Sequence, residues 1–147
     1  MGIPATIFSL TGTLALFAWV ALTFSLFVRP ARRWVWPATQ YIVPGLIAIA
    51  YAILWWGGRG AYDNGGFGSI PEVRAWFADD HLLTAGWIHY LAFDLFIGTW
   101  MVRDAVSRNL SPLLLLPCLP LTFLFGPLGL LLWLGVRAAQ WLFGRHD

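Results

Sequence analysis

Long apolar runs separated by short polar breaks organise this chain. No charged residue falls in 1–28, 34–58 or 109–136, and 82–102 holds only Asp94 and the titratable His89. A hydrocarbon layer of about 30 Å takes about 20 apolar residues as helix. Backbone polar groups there find no water, so helices are the economical solution. The pattern predicts an all-α integral membrane protein, a four-transmembrane-helix bundle forming a single domain over 1–147. The expected spans are about 5–28, 37–57, 82–102 and 112–136.

The breaks add topology. The first run has no positive n-region and is too long for a signal-peptide core, so it reads as a retained helix. It ends in Arg29-Pro30-Ala31-Arg32-Arg33, which the positive-inside rule places in the cytoplasm with the N-terminus outside, in an inner or cytoplasmic membrane. With four spans, Arg103 and Arg108 join these inside, against Arg59, Arg74, Arg137 and Arg145 outside, a weak overall bias. The connection from Gly57 to Asp80 starts with glycine-rich turns and is expected to lack regular structure there. Ser69, Pro71 and Glu72 then form a helix-start signature. A short interfacial helix from about 70 to 78, between helices 2 and 3, would lay Val73, Trp76 and Phe77 at the headgroup boundary.

Composition sharpens the class. Hydrophobic residues make up 59% of the chain and charged residues 11%, against about 25% charged in soluble domains. That excludes a soluble globular enzyme, a disordered chain and a nucleic-acid binder, and makes the lipid bilayer the first partner. Every basic residue is arginine, so a lysine Schiff base, a lysine nucleophile and a P-loop lysine are ruled out. A single cysteine, Cys118, removes disulfide frameworks and cysteine zinc sites. His81, His89 and His146 are too few for histidine-box di-iron chemistry. No metal site and no cofactor are expected.

The chemistry then rests on few groups. Asp94 falls near mid-membrane, where an unpaired acid costs at least about 2.5 kcal/mol. It must be neutral, paired or beside a wet pocket, with Gln40, Tyr41, Tyr51 and Thr122 as candidate donors from other helices. Five residues of helix turn His89 about 140° from Asp94, so a shared substrate would have to touch two faces, or the helix would have to bend near Gly86. Trp87, Tyr90, Asp94, Gly98 and Met101 share one stripe, and Gly98 leaves room for another helix or a flat ligand. Of ten tryptophans, Trp34, Trp36, Trp55, Trp56, Trp76, Trp100, Trp133 and Trp141 fall near span ends as an aromatic belt. Trp19 and Trp87 fall inside spans and, with the phenylalanines, could line a groove for a long apolar or polyene ligand. The fourth run carries Pro112, Pro117, Pro120 and Pro127 with Gly126, Gly129 and Gly135. Two readings stand: a bent packing helix, or a broken helix whose freed carbonyls line a cavity.

The run Ala85-Gly86-Trp87-Ile88-His89-Tyr90-Leu91-Ala92-Phe93-Asp94-Leu95-Phe96-Ile97-Gly98, followed by Trp100 and Asp104, resembles the signature of the abscisic-acid-deficient-4-like family. The run 119–129, ending Gly126-Pro127-Leu128-Gly129, resembles that family's last-helix pattern. The chain departs from the family at Thr99, where many relatives carry arginine. The resemblance implies a role in carotenoid or xanthophyll metabolism, since the plant relative is required for making neoxanthin from violaxanthin. One implied activity is a cofactor-independent isomerase opening an epoxy-carotenoid, with Asp94 and His89 as catalytic acid and base. Trp87, Tyr90, Gly98, Asp104 and Thr122 would contact an apolar polyene or isoprenoid ligand. The alternative is a non-enzymatic carotenoid- or lipid-binding accessory subunit, acting as a homodimer or beside a separate partner enzyme.

Overall fold

A computed structural model describes residues 2–143, and among them every regular element is helical. Helix α1 spans Ile3–Phe27. Helix α2, Arg32–Pro37, runs through a π-helical turn at Ala38–Ile42 into α3, Val43–Gly57. Pro44 explains the turn: it has no N–H for the Gln40 carbonyl, and its ring crowds that carbonyl. A 3-10 segment, Gly58–Asn64, follows, so the first half of the long connection is ordered where irregular turns were expected.

Helix α4, Ile70–Trp76, starts as its signature predicts, with the Ser69 side chain accepting from the Glu72 N–H at 3.4 Å. Trp76 packs edge-on against Trp55 and Phe67 and donates to the Tyr62 carbonyl at 3.2 Å. Helix α5, Asp80–Ser107, is unbroken, and Asp79 caps it by accepting from the His81 and Leu82 N–H groups at 2.9 and 3.1 Å. The helix continues without a break through Gly86, whose bare face meets the Phe77 ring.

Contacts along the helices give their directions. Phe8 meets Trp87, while Trp19 seats on Gly98, so α1 and α5 run parallel. Thr39 bonds Thr99 at 2.8 Å, Tyr51 faces His89, and Gly57 abuts His81, so α3 runs antiparallel to α5. By length and composition, α1, the α2–α3 stretch and α5 can each cross a membrane.

The expected fourth span, 112–136, is instead broken into α6 (Pro112–Leu115), α7 (Cys118–Phe125) and α8 (Pro127–Phe143), and it reverses direction. At Gly126 the backbone takes φ 40°, ψ −90°, a conformation that side chains exclude. Pro127 then opens α8 without an N–H to pair. A Cβ on Gly129 would come within 2.5 Å of the Thr122 Cα, which only two helices folded back on each other permit.

Two further contacts fix the hairpin's reach. Its tip at Gly126 touches Asp94, and eleven residues on, Arg137 lies 3.2 Å from Asp104, itself ten residues beyond Asp94. Both steps are about 15–17 Å of helix, so α8 returns to the end where α5 finishes. Trp133, expected in the belt, is fully buried with Met101, Cys118 and Leu119 because the hairpin folds it inward.

The reversal changes the charge map. Arg29, Arg32, Arg33, Arg103, Arg108 and Arg137 share one rim with Asp104 as the acid among the described residues there. The opposite rim carries Arg59 and Arg74 with Asp63, Glu72, Asp79 and Asp80. Arg145 and His146 lie outside the described residues.

Candidate functional site

Asp94 sits fourteen residues into α5, about 21 Å from its start and midway along the helix. The hairpin tip meets it there. A Cβ on Gly126 would lie 2.8 Å from Asp94 Oδ1 and 3.0 Å from Oδ2, so glycine is needed both for the turn and for room beside the carboxyl. Oδ2 is covered and has no hydrogen-bond partner among the described residues.

The polar neighbour of this carboxyl comes from its own helix. Tyr90, one turn earlier, directs its hydroxyl toward Asp94 and donates to the Phe123 carbonyl at 3.3 Å. That carbonyl is free because its helical partner four residues on would be Pro127, which has no N–H. Pro127 therefore frees an acceptor midway along the bundle, but Tyr90 takes it up, so this carbonyl does not line a cavity as the broken-helix reading expected.

The donors expected from other helices are engaged elsewhere. Gln40 accepts from Arg103. Tyr51 stacks on Trp55 and faces His89. Tyr41 lines a groove between α3 and α5. Thr122 is fully buried against Gly129, donates to the Cys118 carbonyl at 2.8 Å and touches the Met101 sulfur. A ligand therefore has no access to Thr122.

The other expected site residues are dispersed. His89 is exposed beside α3 and stacks on Phe93 with ring centroids 4.5 Å apart, so it is not brought together with Asp94. Gly98 does admit a flat group, but that group is the Trp19 ring. Trp87 is half-exposed between Phe8 and Tyr90. Asp104 belongs to the rim, bound to Arg108 at 2.9 Å and Arg137 at 3.2 Å.

An apolar groove of about 460 Å³ runs between α1 and the hairpin, lined by Leu16, Trp19, Val20, Leu119, Pro120 and Phe123 among others. Its Trp19 and Phe123 rings lie 5.7 Å apart. The Trp19 Nε1 is covered and has no partner among the described residues. Phe123 joins the two features, since its ring lines the groove and its carbonyl holds Tyr90. Trp19 lines a groove, as its place inside a span allowed; Phe123 was not singled out by sequence reading. The available signal was the Phe123–Pro127 spacing, which marks a carbonyl without a helical donor.

The sequence pattern of the ABA DEFICIENT 4-like family matches residues 6–133. The chain belongs to that family. Comparison with curated proteins and with solved structures returned no match. The match takes in Asp94, Tyr90 and the whole Gly126 turn, so these positions fall inside the part shared with the ABA DEFICIENT 4-like family.

Proposed function

We propose that this ABA DEFICIENT 4-like protein acts in a carotenoid/abscisic-acid-related pathway, isomerising an epoxy-carotenoid at the Asp94 carboxyl. The observation that carries this reading is a carboxyl oxygen without a partner, held at mid-bundle by a purpose-broken helix. Desolvation generally favours a neutral carboxylic acid, which is the form able to protonate an opening epoxide oxygen.

The reaction needs no net change of atoms. One carboxyl oxygen gives its proton to the epoxide oxygen as the C–O bond breaks. The other oxygen takes the proton lost from the neighbouring carbon as the new C=C bond forms, and the acid is restored. A single carboxyl can thus serve as acid and base, and His89 need not reach it. The polyene would lie along the α1–α7 groove, against the Trp19 and Phe123 rings. The arginine-rich rim supports an orientation with that rim in the cytoplasm and the N-terminus outside.

A second reading has its own support: Gly126 covers the very oxygen that would react. On that reading Asp94 fixes the hairpin, and the chain is a carotenoid- or lipid-binding accessory subunit. Expression in a carotenoid-producing host with pigment profiling separates the two. Conversion by the wild type that is lost in Asp94→Asn, with bound pigment retained, supports the isomerase. Stoichiometric bound pigment without conversion supports the accessory subunit.

A further inference from the structure

The arginine-rich rim contains a pocket that the Asp94 site does not use. Arg32, Arg33, Trp36, Pro37 and Arg103 line a depression of about 250 Å³ between α2 and the last turns of α5. Trp36 organises it: the guanidinium carbons of Arg32 and Arg103 stand 5.7 and 5.9 Å from its ring centroid, within cation–π range. The Trp36 indole is itself held, donating to the Ser25 hydroxyl at 3.1 Å.

No carboxylate neutralises these arginines among the described residues. Arg32 donates to the Ser25 and Leu26 carbonyls at 2.9 and 2.8 Å, carbonyls left over at the end of α1. Arg103 donates to the neutral amide of Gln40, and Arg33 lies over Trp34 at 5.2 Å. Asp104, the nearest acid along α5 from Arg103, is already taken by Arg108 and Arg137. Three arginines lining one depression, two of them set on the Trp36 ring and none with a carboxylate counter-ion among the described residues, suit an anion. Guanidinium forks match phosphate oxygens in geometry as well as charge.

We propose that this pocket binds a phosphate group, presented by an anionic phospholipid headgroup of the surrounding leaflet or by a soluble phosphate. The level of the pocket, at the ends of the spans and beside Trp34, is where lipid headgroups lie, and basic pockets between membrane helices recognise them. The inference does not depend on the chemistry proposed at Asp94.

The test uses the full chain in phosphatidylcholine nanodiscs, titrated with phosphatidylglycerol in one arm and inorganic phosphate in the other, with bound species counted by native mass spectrometry. Arg32 supports the end of α1, so the variants are Arg33→Gln and Arg103→Gln, with Arg29→Gln as a control on the same rim outside the pocket. One phosphatidylglycerol should be retained, each pocket variant weakening it about five-fold and the pair about twenty-five-fold. The control should leave it unchanged. Saturation by inorganic phosphate with the same variant dependence, and none by the lipid, would support a phosphate site supplied from solution. Failure of both ligands to bind, or equal weakening by Arg29→Gln, would overturn the site.

Discussion

The Arg137 guanidinium stands 3.2 Å from the Asp104 carboxylate, which places the end of the last apolar segment beside the end of the third span. A fourth crossing would put these charges on opposite sides of the membrane. The contact is partly exposed, with side chains 31% and 13% accessible, and Arg108 shares the same acid. Its contribution is therefore modest. A double-mutant cycle of Asp104→Asn and Arg137→Gln should give a coupling of about 0.5–1 kcal/mol, read from thermal unfolding in detergent. No coupling would mean that the hairpin is held by its apolar packing alone.

Gly126→Ala should be among the costliest single-atom additions in the chain. The positive φ alone is worth about 1–2 kcal/mol, and the new methyl would press on the Asp94 carboxyl. Removing that carboxyl with Asp94→Ala should recover part of the loss but not the backbone share. Melting temperatures of the two single variants and the double variant measure this. Full additivity would show that the tip and Asp94 do not touch.

Gly98 is a seat for Trp19, so Gly98→Ala must push the indole toward the groove that Trp19 lines. Overpacking of this kind costs about 1–3 kcal/mol. Tryptophan fluorescence and retention of an apolar polyene should change together. Unaltered retention with a shifted indole would detach the groove from ligand binding.

Thr39 and Thr99 link the π-helical turn before α3 to α5 by a buried hydroxyl pair at 2.8 Å. Thr39→Val should cost about 0.6 kcal/mol, the usual scale for such bonds between membrane helices. A loss several times larger would mean that Thr39 has a second role in the π-turn.

Much of the scaffold was legible from the order of residues. The charge-free runs mark three spans, and Ser69 with Glu72 starts α4. Each depends on local chemistry, which sequence carries directly. The hairpin was harder because 112–136 is uniformly apolar, and length alone fits one crossing as well as two half-crossings. What decides between them is Gly126 taking a positive φ and Gly129 admitting Thr122, and both are contacts across the fold. The same ambiguity sent Trp133 to the belt and Arg137 to the wrong rim.

At the site, the mid-membrane position of Asp94 follows from counting residues along α5, and Tyr90 follows from the helix stripe. The role of Trp19 does not, since nothing local on α1 points to Gly98. His89 and Asp94 lie apart, as 500° of helical rotation requires.

Cysteine labelling from each side of the membrane tests the hairpin most directly. In a Cys118→Ser background, Ser107→Cys, Ala139→Cys and Asp63→Cys place single thiols at exposed or half-exposed loops and ends. An impermeant maleimide should reach positions 107 and 139 from the same side and position 63 from the other. Labelling of 139 together with 63 would restore a fourth crossing and remove the turn from beside Asp94.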